Sequence, residues 1–400
     1  MNAYVEPAHV TGNGTLKGAP ILSFAVDRWD DVPRCRHHVM ARLARSHRVL
    51  FVSPQRHLRN ALDAPPPGTG EVRRVDENLY TYIPSRWLPY SHRPLLNRLL
   101  SRLHVFAIKR LMRRLGMERP ILYLWHPAFA HLIGRFGERA VVYHCYDEYA
   151  AFGGSDRERV TALETRLLES ADVVFAVSEG LRALKARVNP NTHLVPNGVD
   201  YELFAAAQDP ATPLAPELRD LPKPVVGCVT RIVPEYFDAD LLRQIFTRRP
   251  DWSFVVVGPE SAATTRAKRA LDALKALPNV HLLGRREFSS LPSYLKGFDA
   301  CLIPYVLSEN KLLADPLKLY EYLAAGKPVI SKPLPFPDNI NEVIAKADGV
   351  DEWVDAIDRA MRTDSPAAVA RRQAVARAST WDARVGQIST LIAAADTEPA

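Results

Sequence analysis

One repeated pattern restricts this chain's fold more than any other feature. Short apolar runs rich in Val, Ile, Leu, Tyr and Phe recur along it, each followed by a segment with helical spacing. The runs lie at 19–26, 47–52, 78–83, 120–125, 140–146, 172–177 and 193–199, and again at 224–229, 252–259, 280–286, 300–304 and 329–330. A continuous apolar run suits a strand covered on both faces, and strands alternating with helices build a parallel sheet. The alternation pauses only in the Ala- and Pro-rich stretch Ala205–Pro224, which reads as an interdomain linker. Four hundred residues exceed one typical core and suit two. The expected fold class is therefore α/β, with two doubly wound domains facing a central cleft. The boundaries are a first domain over 1–203, a linker over 204–223, a second domain over 224–375, and a closing helical segment over 376–400.

Composition narrows the partners. A hydrophobic fraction of 47% belongs to a globular chain. No apolar run approaches the roughly 18 residues needed to span a bilayer. The start, Met1-Asn2-Ala3-Tyr4-Val5-Glu6-Pro7, lacks the basic-then-apolar pattern of an export signal, so a cytoplasmic location is expected. Cys35, Cys145, Cys228 and Cys301 are scattered without metal-ligand spacing, as buried thiols in a reducing compartment would be. The formal charge of +7 favours anionic partners such as phosphates or an acidic membrane. Without zinc-finger spacing or an aromatic-rich RNA signature, nucleic acid is not an expected partner.

From Ser85 to Pro120 basic residues, among them Arg98, Arg102, Lys109, Arg110 and Arg113, face a single acid, Glu118. Leucines and Phe106 interleave with them, and Trp87, Leu88 and Tyr90 precede them. This pattern predicts an amphipathic basic helix. It suits an anionic membrane surface on the inner face of the plasma membrane, with Trp87 and these cations facing the lipid. A domain helix with an apolar core face and a basic solvent face is the other reading; the near absence of acids and the aromatics at one end favour the membrane.

The stretch Asp315-Pro316-Leu317-Lys318-Leu319-Tyr320-Glu321-Tyr322-Leu323-Ala324-Ala325-Gly326-Lys327-Pro328 carries a complete helix signal. Asp315 can cap it, Pro316 suits its first position, and Gly326 and Pro328 end it. Its N-terminus offers unpaired N–H groups and partial positive charge to a phosphate, and Lys318 adds a full charge. Glu321, on the same face, can accept hydrogen bonds from a ribose diol. An ordinary surface helix with a Lys318–Glu321 pair has the same spacing.

The positions Pro316, Lys318, Glu321, Tyr322, Ala324, Gly326, Pro328 and Val329 resemble the nucleotide-sugar helix of GT-B glycosyltransferases of the GT4-like group. Asn279–Arg286 is similar to the loop whose backbone reads the nucleotide base in that group, and the Trp381-Asp382 helix to its last helix, which crosses back onto the first domain. The resemblance spans Ile21 to about Ile392. It implies two Rossmann-like domains and a hexosyl-transferring enzyme that takes sugar from a nucleotide diphosphate-sugar without a metal or other cofactor. It also implies donor-binding roles for Arg231, Gly284, Arg286, Pro316, Leu317, Lys318 and Glu321. Two positions depart from the family: Leu313 stands where a second Glu is usual, and Tyr236 where a diphosphate-clamping Lys is usual. Lys318 is expected to carry that second charge. A likeness to the xanthan-type glucuronosyltransferase leaves retention and inversion both open.

An inverting enzyme needs a general base beside the acceptor hydroxyl. Asp147, at the end of a strand and near the Gly153-Gly154 pair, is the leading candidate, with His126 on the neighbouring strand to orient it. Asp27, Trp29 and Asp30, in the loop after the first strand, are acceptor-side candidates. The acceptor expected is lipid-linked or a polysaccharide precursor. A soluble acceptor, a nucleotide-sugar epimerase and a non-catalytic nucleotide-sugar sensor are the other readings.

Overall fold

The computed structural model of the chain describes residues 18–55, 67–90, 94–152, 156–233, 236–261 and 264–395. It divides into two compact units, one comprising 1–195 with 384–400 and the other 196–383.

The first unit is built on an eight-stranded sheet. Its strands are β1 (Ile21–Phe24), β2 (Val49–Val52), β3 (Val72–Arg74), β4 (Leu79–Tyr82), β5 (Ile121–Leu124), β6 (Ala140–Cys145), β7 (Val173–Ala176) and β8 (Thr192–Leu194). Their order is β3-β4-β2-β1-β5-β6-β7-β8, parallel except for the β3–β4 pair. The fully buried runs Ile-Leu-Ser-Phe, Val-Leu-Phe-Val and Ile-Leu-Tyr-Leu occupy its centre because helices cover both faces. The chain moves outward one way from β1 through β2 to β4. It then returns to the other side of β1 at β5, so the direction of winding reverses between β1 and β5.

The second unit has a six-stranded, all-parallel sheet ordered β11-β10-β9-β12-β13-β14. Its strands are β9 (Val225–Val229), β10 (Ser253–Val257), β11 (Val280–Gly284), β12 (Ala300–Ile303), β13 (Val329–Ser331) and β14 (Ala345–Lys346). Here the reversal falls between β9 and β12. Gly227 in β9 has no room for a side chain, since a Cβ there would lie 2.3 Å from the Phe298 ring.

Several expectations are corrected. The stretch 204–223 is not a free linker: Phe204, Ala207, Ala215 and Leu218 are buried in the second unit's core. Its Ala and Pro residues allow short helical turns to pack closely there, and the chain passes into the second unit after Val195, ahead of position 203. Strands β3 and β14, short and at sheet edges, escape the apolar pattern. The helix Arg157–Ser170 is capped by Asp156, which accepts from Arg159 N at 3.1 Å; Gly153-Gly154 lie outside the described residues. The last helix, Trp381–Ala395, starts under the Thr380 hydroxyl, which accepts from Ala383 N at 3.2 Å. Among the described residues no helix is long and apolar enough to cross a membrane.

Candidate functional site

In open α/β sheets ligands bind beyond the carboxyl ends of the strands, where the winding reverses. In the second unit that place lies beyond β9 and β12. The helix Leu317–Ala324 is fixed there by its own buried face: Leu319, Tyr320, Tyr322 and Leu323 enter the core. The Tyr322 hydroxyl accepts from Val229 N at 2.7 Å, which ties the helix to the last residue of β9. Gly326, at φ 68°, ends it as expected.

The start of this helix differs from the expected capping. Asp315 does not cap it. Its carboxylate accepts from Asn197 N at 2.7 Å and from the Tyr320 hydroxyl at 3.0 Å. Asn197, distant in sequence, and Tyr320, five residues on, take up the carboxylate, and Pro316, the N-cap, offers no side-chain bond. The first-turn N–H groups of this helix thus keep their capacity for an anion, at the place where the sheet reverses.

Lys318 and Glu321 meet directly, Nζ donating to Oε2 at 2.7 Å. Burial raises the Glu321 carboxyl above its ordinary value, and the neighbouring ammonium pulls it back. Within this pair Lys318's charge is matched by that of Glu321. Arg231 is exposed just after β9. Gly284 ends β11 with φ 72°, and its carbonyl accepts from Gly258 N at 2.9 Å. Arg286 is held by Glu217 at 2.8 Å and by the Tyr294 hydroxyl at 2.8 Å, so its side chain braces the loop.

In the first unit the winding reverses between β1 and β5, and the loops there carry most of the acceptor-side candidates. Asp27 is paired with Arg36, a residue the sequence reading passed over, and lies 3.8 Å from Arg34. Arg36 is 1% exposed, its guanidinium 4.3 Å from the Tyr146 ring centroid. Trp29 packs on His37 and Phe51, at 5.4 and 5.1 Å between ring centres. Asp30 is paired with Arg73.

Asp147 follows β6 and is half-buried. Its neighbours in sequence are both pinned. Glu148 accepts from Lys185 Nζ at 2.7 Å, and Lys185 also bonds Glu164 at 2.9 Å. Tyr149 donates to the Trp125 carbonyl at 2.7 Å. A buried ammonium between two buried carboxylates fixes the backbone on which Asp147 stands. His126 accepts from Ala128 N through Nδ1 at 3.1 Å, capping a short turn, and stacks edge-on against Tyr149 at 4.4 Å. Burial and the charge of Arg36 push its imidazole down to about 4, so it is neutral at pH 7. That bond commits Nδ1 to the turn and away from Asp147.

The helix Pro94–Arg114 places Leu99, Leu103 and Phe106 on one face, 56%, 48% and 62% exposed, while Ile108 and Met112 are buried. Arg98, Arg102, Lys109, Arg110 and Arg113 are exposed on the same helix, and Trp87 upstream is 71% exposed. Among the described residues no group of three or more His, Cys, Asp or Glu side chains is set to hold a metal ion.

Comparison with known proteins agrees with this geometry. Residues 223–363 match the profile of Glycosyl transferases group 1. A Bacillus subtilis (strain 168) protein, TuaH, is 32% identical over 231 residues; its name assigns it provisionally as a teichuronic acid biosynthesis glycosyltransferase. The match takes in 54% of this chain and 56% of TuaH, so the chain spans little more than half the length of that curated relative. Among solved structures, sucrose-phosphate synthase from Thermosynechococcus elongatus superposes with a TM-score of 0.70 at 18% identity, covering 94% of this chain and 98% of that one. Starch synthase IV of Arabidopsis thaliana, bound to ADP and acarbose, gives 0.64 at 15% identity, covering 95% and 100%. Anabaena HepE, with UDP and glucose, gives 0.64 at 14%, covering 94% and 99%. The chain has the GT-B fold, and its residues 223–363 are similar to the glycosyl transferases group 1 family.

Proposed function

We propose that the protein is a glycosyltransferase that moves a sugar from a nucleoside diphosphate-sugar to a lipid-linked or polysaccharide-precursor acceptor. The observation that carries this reading is the Leu317–Ala324 helix, with no side-chain cap from its N-cap residue Pro316, bonded to the end of β9 and bearing Lys318 and Glu321. The group 1 match across the same unit and the similarity to TuaH support it. The first-turn N–H groups and Arg231 would hold the diphosphate, and Glu321 the ribose hydroxyls. Gly284 would lie beside the base through its backbone, while Arg286 shapes that loop from behind.

In the transfer, the acceptor hydroxyl oxygen bonds to the anomeric carbon as the bond from that carbon to the diphosphate oxygen breaks. The departing diphosphate gathers negative charge, which Arg231 and the helix terminus stabilise. For inversion, Asp147 takes the hydroxyl proton, and neutral His126 shapes the wall beside it. Asp27 is the weaker base, because a proton there would cost its pairing with the buried Arg36. For retention the hydroxyl proton passes to the departing diphosphate oxygen, so no separate base is needed for the attack. No step calls for a metal.

The exposed Leu99, Leu103 and Phe106 within the basic helix favour an acceptor presented at an anionic membrane surface, with the protein peripheral on its cytoplasmic face.

Calorimetric titration with UDP, GDP, dTDP, ADP and CMP tests the donor site. One nucleoside diphosphate is expected to bind selectively, and Glu321→Ala to weaken it by about a hundredfold, as loss of charged hydrogen bonds would. Binding that is unselective, or untouched by the substitution, would sink the reading.

A further inference from the structure

The second unit has a cleft of about 740 Å³ at the amino ends of its strands. Pro224, Trp252, Asp299 and Pro328 line it, and each stands immediately before a strand, β9, β10, β12 and β13 in turn. The cleft therefore lies at the edge of the sheet opposite to the carboxyl ends, where the proposed donor site is. Gly326 and Lys327 line it too, so the Leu317–Ala324 helix begins at one edge of the sheet and finishes at the other.

Lys327 differs from the other cations of this cleft in what it bonds. Lys223 donates to the Gly297 carbonyl at 2.8 Å and to both Asp299 oxygens at 3.0 Å. Arg249 is paired with Asp251 at 2.7 Å and lies over the Trp252 ring. Arg362 is paired with Asp358 at 2.9 Å, and Asp364 is held by Arg372. Lys327 is half-buried, and its ammonium donates one hydrogen bond, to the Lys296 carbonyl at 3.1 Å. Nor does the helix end need it. Arg372 donates to the Gly326 carbonyl at 3.0 and 2.8 Å, Gln208 to that of Ala325 at 2.7 Å, and Gln373 to that of Ala324 at 3.1 Å.

An ammonium has three donors, and burying it with most of them unmet is costly. Burial lowers the Lys327 pKa, while the charges of Asp299 and Asp364, already bonded to Lys223 and Arg372, act on it from a distance. The lining holds four cations, Lys223, Arg249, Lys327 and Arg362, against the three carboxylates Asp299, Asp358 and Asp364, so its complement is an anion.

We propose that this cleft is a second ligand site, which binds a phosphate group, free or as a monoester, on the Lys327 ammonium with the exposed Lys223 and Arg362 beside it. A phosphate accepts hydrogen bonds on several sides at once. That suits cations brought by three elements: the segment before β9, the end of the Leu317–Ala324 helix, and the helix Val350–Arg362. The site is independent of the donor reading and stands whether or not that reading holds.

Lys327 can report on its own occupancy. Trace acetic anhydride followed by peptide mass spectrometry reads the acetylation of each lysine in the folded chain, with the exposed Lys268 as reference. Inorganic phosphate, phenyl phosphate and acetate are added in turn, each against sodium chloride of the same ionic strength. Phosphate is expected to slow acetylation of Lys327 by about tenfold, the fall in free amine that a neighbouring opposite charge produces, and that of Lys268 by less than about twofold. Arg231→Ala is expected to leave this protection intact, because Arg231 follows the carboxyl end of β9. Stronger protection by phenyl phosphate than by phosphate assigns the site to a monoester, and equal or weaker protection to the free ion. Lack of protection, or protection that chloride reproduces, that acetate matches or that Arg231→Ala abolishes, overturns the site.

Discussion

At the reversal of the first sheet, the facing groups are a buried Arg36 on Asp27, the neutral His126, and the rings of Tyr146 and Tyr149. At the reversal of the second, they are a helix start with no side-chain cap from its N-cap residue and the exposed Arg231. Both places follow the same topological rule, yet their chemistry diverges. The first is rich in groups that exchange protons or accept hydrogen bonds, closely packed among aromatic rings. The second presents positive charge and backbone donors, the complement of a polyanion. One winding pattern used twice thus carries two kinds of chemistry, and the side chains beyond the strand ends decide which.

The sharpest way to break this contrast is to separate binding from turnover. Asp147→Asn is expected to lower the transfer rate by roughly 10²–10⁴, the range for loss of a general base, with nucleotide affinity unchanged. A rate that hardly moves would remove Asp147 from the chemistry and favour retention.

Acid separates the units next. Of the twelve histidines only His281 lies in the second unit. In the first, burial pushes His104 and His126 down to about 4 and His144 to about 3, from an ordinary 6.5. An imidazole lowered by folding binds more protons when unfolded. Its stabilisation is complete above about pH 6.5 and is lost as pH falls towards the folded value. For His104 alone this amounts to roughly 3 kcal/mol. Hydrogen exchange followed from pH 7 to pH 4 is expected to show the first unit opening before the second. Simultaneous loss of protection in both would contradict it.

The smallest expected effect concerns the Pro94–Arg114 helix. Phe106→Ser is expected to reduce flotation with anionic vesicles by about threefold, in line with the apolar area lost from a bilayer boundary. Equal recovery of the unaltered protein with neutral and anionic vesicles would withdraw the membrane from the account.

The two regions also differ in how much of them could be read from sequence. The second unit's helix announced itself through Pro316, Gly326 and Pro328, because backbone geometry demands those residue types locally. What Asp315 does was not legible: besides Tyr320, five residues on, it chose Asn197, a partner that only tertiary folding supplies. Arg36 read as one more polar position in a helix, and nothing nearby in sequence announced that Asp27 and Tyr146 would bury it. The Ala- and Pro-rich segment was taken for a tether because small residues look uncommitted; their size is what lets Ala207 and Ala215 pack into a core. Periodicity revealed the strands, but edge strands such as β3 and β14 carry too little apolar pattern to register.

The four cysteines have a practical consequence. All are buried and unpaired. Burial raises the Cys35 thiol to about 11 and the Cys301 thiol to about 12, and lifts Cys145 and Cys228 as well. Thiolate is the reactive form, so maleimide dyes find little to attack in the folded chain. A cysteine introduced on the exposed edge of the basic helix or beside Arg231 would label almost alone. Fluorescence reporters can therefore be placed on either unit without first removing a native sulfur.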